Sequence, residues 1–182
     1  MEFGDRRRAI IDSEKCLITV HDLGSSISES PDGERSIRNC DGAVLLYDIT
    51  SKASFNHVQG YCDRLRNLTS TQIPIYLVGN KLDASGKRSV KIADGKRMAE
   101  ALDPRCPFIE VSAETGDNVE HLYFNLVRQI RRQRLEADGN KPVSKKRTNS
   151  SFKKTASTEV SIKKKGMVAS FKQVLKGQKG ES

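Results

Sequence analysis

Ile73-Pro74-Ile75-Tyr76-Leu77-Val78-Gly79-Asn80-Lys81-Leu82-Asp83 is an apolar run, bounded by Pro74 and Gly79, that opens into a short polar loop. Its β-branched and aromatic residues and its flanking breakers predict a buried strand. Asp83 then falls just beyond the strand's C-terminal end, where open α/β sheets bind ligands. A carboxylate there can accept two parallel hydrogen bonds from a planar donor pair, such as N1–H and the exocyclic amine of guanine. Adenine lacks that pair and would leave the carboxylate unmatched. The plainer reading, a polar loop after a buried strand, stands beside it at this point.

Working outward, Gly42-Ala43-Val44-Leu45-Leu46-Tyr47-Asp48 is a second buried strand, and Pro107-Phe108-Ile109-Glu110-Val111 a third. Between the first two, Thr50-Ser51 opens a helix carrying Phe55, Val58, Cys62, Leu65 and Leu68 at three- and four-residue steps. A further helix is expected over about 91–103. The last is the most regular: Val119, Leu122, Tyr123, Leu126, Val127 and Ile130 make one apolar face, with Asp117-Asn118 as the expected cap. Arg128, Arg131, Arg132 and Arg134 crowd its C-terminal end, which suits the helix dipole. Upstream, Ala9-Ile10-Ile11, the turn Asp12-Ser13-Glu14 and Lys15-Cys16-Leu17-Ile18-Thr19-Val20 read as a hairpin. Residues 25–40 are polar and turn-forming and are expected to be a mobile loop.

At 182 residues, 36% of them apolar, the chain can bury one core of ordinary size. Its formal charge of +9 is unevenly spread. Residues 141–182 hold twelve Lys/Arg and two Asp/Glu, while residues 1–140 are close to neutral. The basicity therefore belongs to an extension and not to the globular part. The four cysteines are dispersed, with no Cys-x-x-Cys and no histidine spaced to complete a zinc site, so they read as small core residues in a reducing compartment. No run of eighteen apolar residues is present, and the N-terminus lacks a signal-peptide core.

Asn80-Lys81-x-Asp83 followed about thirty residues later by Glu110-Val111-Ser112-Ala113-Glu114, each at the end of an expected strand, resembles the guanine-recognition pair of Ras-superfamily small GTPases. Leu46-Tyr47-Asp48-Ile49-Thr50 with Ser54-Phe55 resembles the same family. The resemblance covers about residues 5–135 and implies an α/β, three-layer P-loop NTPase (Ras-like) fold with a mostly parallel sheet. It implies GTP/GDP and Mg2+ as cofactors and protein effectors and regulators as partners. By the same resemblance, Asp83 takes the guanine N–H groups, Asn80 orders the loop and Lys81 packs on the base. Ala113 would give its N–H to O6, Ser112 would buttress the loop, and Glu114 stands where the family usually has Lys. Asp22, in His21-Asp22-Leu23-Gly24-Ser25-Ser26, falls where the family's magnesium-linked Asp is kept; Ser25 replaces the Gly, and Ser26 the water-orienting Gln. Serine cannot orient water as Gln does, so GTP hydrolysis is expected to be weak or absent.

The family's phosphate loop, Gly-x-x-x-x-Gly-Lys-Ser/Thr, does not occur in this sequence. Aligned on Asp22, Met1 falls just after the first switch. The expectation is an N-terminally truncated Ras-like domain over 1–138, lacking the first strand and first helix, with the neighbouring strands short of a partner. A basic, largely disordered tail is expected over 139–182. Lys163-Lys164-Lys165 leads there into Met167, Val168, Phe171, Val174 and Leu175, whose spacing predicts a short amphipathic helix at about 165–176. Such a helix would suit an anionic membrane or calmodulin. With no C-terminal prenylation box, the basic extension resembles the Rad/Gem-type branch. Two readings follow. The first is a nucleotide-dependent signalling switch, cytoplasmic and peripheral at the inner face of the plasma membrane. The alternative is a non-catalytic pseudo-GTPase scaffold that binds a partner through its tail. Nucleic-acid binding has no aromatic-interleaved platform to support it.

Overall fold

A computed structural model of the chain describes residues 5–24, 31–70, 72–137 and 167–174. Six strands form one sheet in the order β1-β2-β6-β3-β4-β5. β3 (Gly42–Asp48), β4 (Ile75–Asn80) and β5 (Phe108–Glu110) pair in parallel, and β1 (Asp5–Ile11) and β2 (Glu14–Gly24) form an antiparallel hairpin. The hairpin turns through Asp12 and Ser13, both with positive φ, the handedness that matches strand twist in a two-residue loop.

β3 and β4 are apolar in succession because both faces of the sheet are covered. Ala43, Leu45, Tyr47, Ile75 and Leu77 belong to one core, with α3 (Val58–Leu68) and α4 (Ile92–Leu102) packed over it. Val44, Tyr76 and Val78 belong to the other, against α5 (Val119–Ala137). All six apolar residues expected on α5 are buried there. Each large side chain so covered contributes roughly 1.5–3 kcal/mol. The arginines at the end of α5 do more than face the dipole. Arg128 makes a two-pronged pair with Asp12 at 2.6 and 2.8 Å, Arg131 donates to the Ile11 carbonyl at 2.9 Å, and Arg134 pairs with Asp41 at 2.6 Å. Arg128 and Arg131 tie the hairpin turn to the helix, and Arg134 ties the helix to the residue before β3.

Several elements differ from expectation. Within 25–40, residues 31–38 are helical: α1 (Pro31–Arg38) starts on a proline, has Asp32 and Glu34 in its first turn, and buries Ile37. The helix expected after Thr50-Ser51 is two, α2 (Lys52–Asn56) and α3, divided at His57. Ser51 caps the first, accepting from the Ser54 N–H at 3.3 Å. Asn118 takes a left-handed backbone (φ 61) and donates its side chain to the Glu110 carbonyl at 2.8 Å, so it ties α5 to β5.

The largest difference lies in the tail. Residues 167–174 form β6 (Met167–Val174), not a helix. β6 lies between β2 and β3, antiparallel to both. Met, Val and Phe favour strands at least as well as helices, and two apolar spacings in so short a stretch fit either period. The open edges of β2 and β3 decide, because every buried backbone N–H and C=O on them needs a partner. The sheet therefore has a strand where the sequence led us to expect a gap. The remaining tail residues, Lys163, Lys164, Lys165 and Leu175 among them, lie outside the described residues.

Two neighbouring substitutions test the packing over β3. A Cβ on Gly95 would sit 2.5 Å from Phe108 Cζ and 2.6 Å from the Tyr47 hydroxyl. Gly95→Ala is expected to destabilise by about 1–3 kcal/mol, because α4 must move off the sheet. The Tyr47 hydroxyl is buried with no hydrogen-bond partner, and burial pushes its ionisation well above the ordinary value. Tyr47→Phe removes that orphan and is expected to be neutral or stabilising by about 1 kcal/mol. Thermal unfolding of the two variants should move in opposite directions or differ by several degrees.

Candidate functional site

Parallel pairing brings Asp48 level with Asn80 at the C-terminal edge of the sheet. Two loops leave this edge, and a third comes from β5. The Ile49 N–H donates to the Asn80 carbonyl at 3.0 Å, so the chain leaving β3 stays beside the end of β4. Lys81 then takes a left-handed backbone, φ 72, unusual for a residue with a side chain. This turn sends Leu82–Lys87 into a 3-10 turn. The Lys81 ammonium pairs with Asp48 Oδ2, while the Thr50 N–H and hydroxyl donate to Oδ1 at 2.8 and 2.6 Å. Burial opposes the charge on Asp48, but Lys81 and Thr50 outweigh it and hold the carboxyl below its ordinary value.

The third loop is organised by Ser112, which is fully buried. Its hydroxyl donates to Asp83 Oδ1 at 2.5 Å and accepts the Thr115 N–H at 3.1 Å. The Ala113 N–H donates to Asn80 Oδ1 at 3.1 Å, and the Leu82 N–H to the Val111 carbonyl at 3.0 Å. Asn80, Lys81, Asp83, Ser112 and Ala113, far apart in sequence, are thus joined in one network at one sheet edge. Asp83 remains exposed, with one oxygen oriented by Ser112. Glu114 is exposed on the same loop. The Ala113 N–H is engaged by Asn80, and a ligand acceptor would have to share it or take it over.

Sequence reasoning missed two parts of this site. One is Asp48, which anchors Lys81; the signal was available in Asp48-Ile49-Thr50, since a carboxylate at a strand end commonly accepts from the N–H two residues on. The other is the pairing of Arg88 with Glu110, two parallel bonds of 2.6 and 2.8 Å between side chains that are 21% and 9% exposed. It fixes the far end of the 3-10 turn to β5, and no local pattern announces it.

Other sequence-predicted residues are not brought here. Asp22 lies within β2, opposite Ala169 of β6, which in turn faces Val44 of β3. It is therefore level with the middle of β3, about 13 Å short of Asp48 at 3.3 Å per residue, and two strands away. Partial burial raises its carboxyl above the ordinary value. Among the described residues, no group of three or more His, Cys, Asp or Glu gathers to hold a metal ion. Asp22 therefore does not by itself furnish a magnesium site, and no step is derived through one. Ser26 lies outside the described residues. Met167, Phe171 and Val174 belong to β6.

A profile of the Ras family matches residues 5–132. The chain is 31% identical over 129 residues to "Ras-like protein rasW" and 33% identical over 129 residues to "Ras-like protein rasZ", both of Dictyostelium discoideum. Each match covers 70% of this chain and 59% of the relative. It is 32% identical over 127 residues to "Ras-like protein 1" of Saccharomyces cerevisiae, covering 69% of this chain and 40% of that protein. The chain belongs to the Ras family of Ras-like domains, and spans roughly half the length of these relatives.

Two measurements check the electrostatics. Lys81→Met should raise the Asp48 carboxyl, followed by NMR titration of its side chain, since burial then acts with less opposition. In the wild type this group is depressed, so its stabilisation is present above the ordinary carboxylate range and is lost as pH falls through its folded-state value. The variant's stability should therefore be less pH-dependent in acid. Arg88→Ala leaves Glu110 without its partner in a mostly enclosed site, and should lower stability by about 3 kcal/mol in denaturant titration.

Proposed function

We propose that this chain binds guanine nucleotides, as a Ras-like small GTPase of the signalling-switch type, with weak or absent GTP hydrolysis. The observation that carries this reading is the Ser112 hydroxyl bonded to Asp83 Oδ1 while Asn80 reaches Ala113. A carboxylate whose rotation is fixed from behind suits a planar donor pair better than a mobile one. In this reading Asp83 accepts from guanine N1–H and the exocyclic amine, Ala113 yields its N–H from Asn80 to O6, and Ser112 positions Asp83. Asn80 and Lys81 order the loop, Lys81 through Asp48 as well as through contact with the base. Asp22 would serve Mg2+ only with ligands from the nucleotide. Slow hydrolysis rests on Ser26 at the position of the family's Gln.

The second reading, a non-catalytic scaffold, is favoured by a specific feature. Residues 141–182 hold twelve Lys/Arg and two Asp/Glu, a basic extension suited to an anionic partner. In either reading the protein is cytoplasmic and peripheral at the inner face of the plasma membrane. Its tail attracts anionic membrane or calmodulin by charge, through Lys163, Lys164 and Lys165. An amphipathic helix is not the means, because residues 167–174 are in the sheet. Fluorescent GTP, GDP and ATP titrations, with and without magnesium, separate the readings. The switch reading expects guanine-selective binding that falls at least tenfold in Asp83→Ala and several-fold in Ser112→Ala. Equal weak binding of GTP and ATP, unchanged in Asp83→Ala, would reject it.

A further inference from the structure

We propose that Asp48 is a positioning residue for the base site: it holds the Lys81 ammonium, so that Lys81 serves the base of a guanine compound and not its phosphate charge. The inference rests on the guanine reading above and adds which part of the ligand this lysine recognises. Lys81 is fixed at both ends. Its backbone is left-handed (φ 72, ψ 42), its carbonyl accepts the Ala84 N–H at 2.9 Å, and its ammonium pairs with Asp48 Oδ2. Between the two ends runs the four-carbon stem, on a side chain that is 52% exposed. A stem held in this way is an apolar strip with its charge turned aside.

Asp48 is itself held more firmly than a surface ion pair needs. Its N–H donates to the Ser54 hydroxyl at 3.0 Å, and its carbonyl accepts from the Ser51 N–H at 2.9 Å. The next carbonyl, of Ile49, accepts from the N–H groups of Ser89 and Val90 at 2.9 and 3.0 Å, so the chain just past Asp48 is pinned as well. With Oδ1 taken by the Thr50 N–H and hydroxyl, the carboxylate is fixed in rotation and Oδ2 has one direction to offer. Burial works against the charge on Asp48, and its partners overcome it, so the pair is ionised at neutral pH. An ion pair with a half-exposed partner contributes little to stability. The bracing is out of proportion to that contribution and fits a role in placing Lys81.

The electrostatic consequence is direct. A free ammonium attracts phosphate as a single charge, with an energy that falls as the inverse of distance. An ion pair acts as a dipole, and its field falls off faster. Neutralised by Asp48, Lys81 contributes equally to the binding of guanosine, GMP, GDP and GTP. Discrimination by this residue then lies in the base and not in the number of phosphates. Releasing the ammonium reverses that. The stem loses its placement, and a mobile cation joins a site whose ligand can carry several negative charges.

The test measures binding of guanosine, GMP, GDP and GTP to the full chain by titration calorimetry, at low salt and without magnesium, with adenosine and ATP as controls. Asp48→Asn keeps an oxygen for Thr50 but presents an amine to Lys81. It should weaken guanosine binding and raise the GTP-to-guanosine affinity ratio by about threefold or more, a gain that added salt removes. Lys81→Met should lower guanosine and GTP affinity by one common factor. In the double variant Asp48→Asn/Lys81→Met the ratio should return to the wild-type value, which separates action through Lys81 from a structural change around β3. Each ratio is taken on one preparation, so a partly folded variant still reports. An Asp48→Asn ratio equal to wild type would overturn the proposal, and so would a raised ratio that persists in the double variant. If Asp48→Asn does not fold, Lys81→Met decides alone: a common loss supports the proposal, and a loss confined to the phosphorylated ligands overturns it. A wild type that does not prefer guanosine to adenosine would reject the guanine reading and this proposal with it. Guanosine preference with an unchanged ratio in Asp48→Asn would remove the proposal and leave that reading standing.

Discussion

The parallel pairing of β3 with β4 is the constraint on which the structure depends. Ala43 to Asp48 meet Ile75 to Asn80 residue for residue, and most of these residues are buried. A slip by one residue would exchange Leu45 and Leu77 with Val44 and Val78 between two cores of different shape. The same register sets Asp48 beside Asn80, and from this alignment follow the Ile49 to Asn80 bond and the reach of Lys81 to Asp48. Core packing thus fixes the geometry of polar groups at the sheet edge, which could not hold such positions in water unaided.

At that edge the groups differ in how much freedom they keep. Asp48 is spent on structure, with one oxygen on Thr50 and the other on Lys81. Asp83 is exposed and held at one oxygen only. Ser112, buried without any exposure, works through the backbone as much as through Asp83, since its hydroxyl also orders the turn at Thr115. Two carboxylates of the same chemistry therefore have different uses, decided by their neighbours. Arg88 and Glu110 brace the loop between them from behind.

On the other flank of the sheet, the hairpin is attached by polar and backbone contacts as well as by packing. Arg128 holds the Asp12 carboxyl below its ordinary value by its paired hydrogen bonds, but both side chains are about half exposed, so this pair contributes little to stability. Burial of Ile11, Cys16 and Ile18 against α5 matters more. β6 then links this flank to β3. The hairpin's place in the sheet depends on a strand contributed from the far end of the chain.

The sequence by itself determined what local patterning can determine. The buried strands β3 and β4, the apolar face of α5, the hairpin and the two guanine-type motifs were all legible, because each is written in neighbouring residues or in one repeat period. Family resemblance pointed to Asn80 ordering the loop, Ser112 buttressing it and Ala113 giving its N–H to a ligand; that Asn80 holds the Ala113 N–H and Ser112 holds Asp83 was not legible. Tertiary structure decided the rest. Lys81 found Asp48, and Arg88 found Glu110, because the sheet brought distant charges within reach. Residues 31–38 became helical where a polar loop was expected, since Ile37 had a core to enter. Residues 167–174 had the spacing of a helix yet became a strand. For so short a segment intrinsic preference is weak, and the unmet hydrogen bonds of β2 and β3, two edges invisible to a local reading, set its conformation.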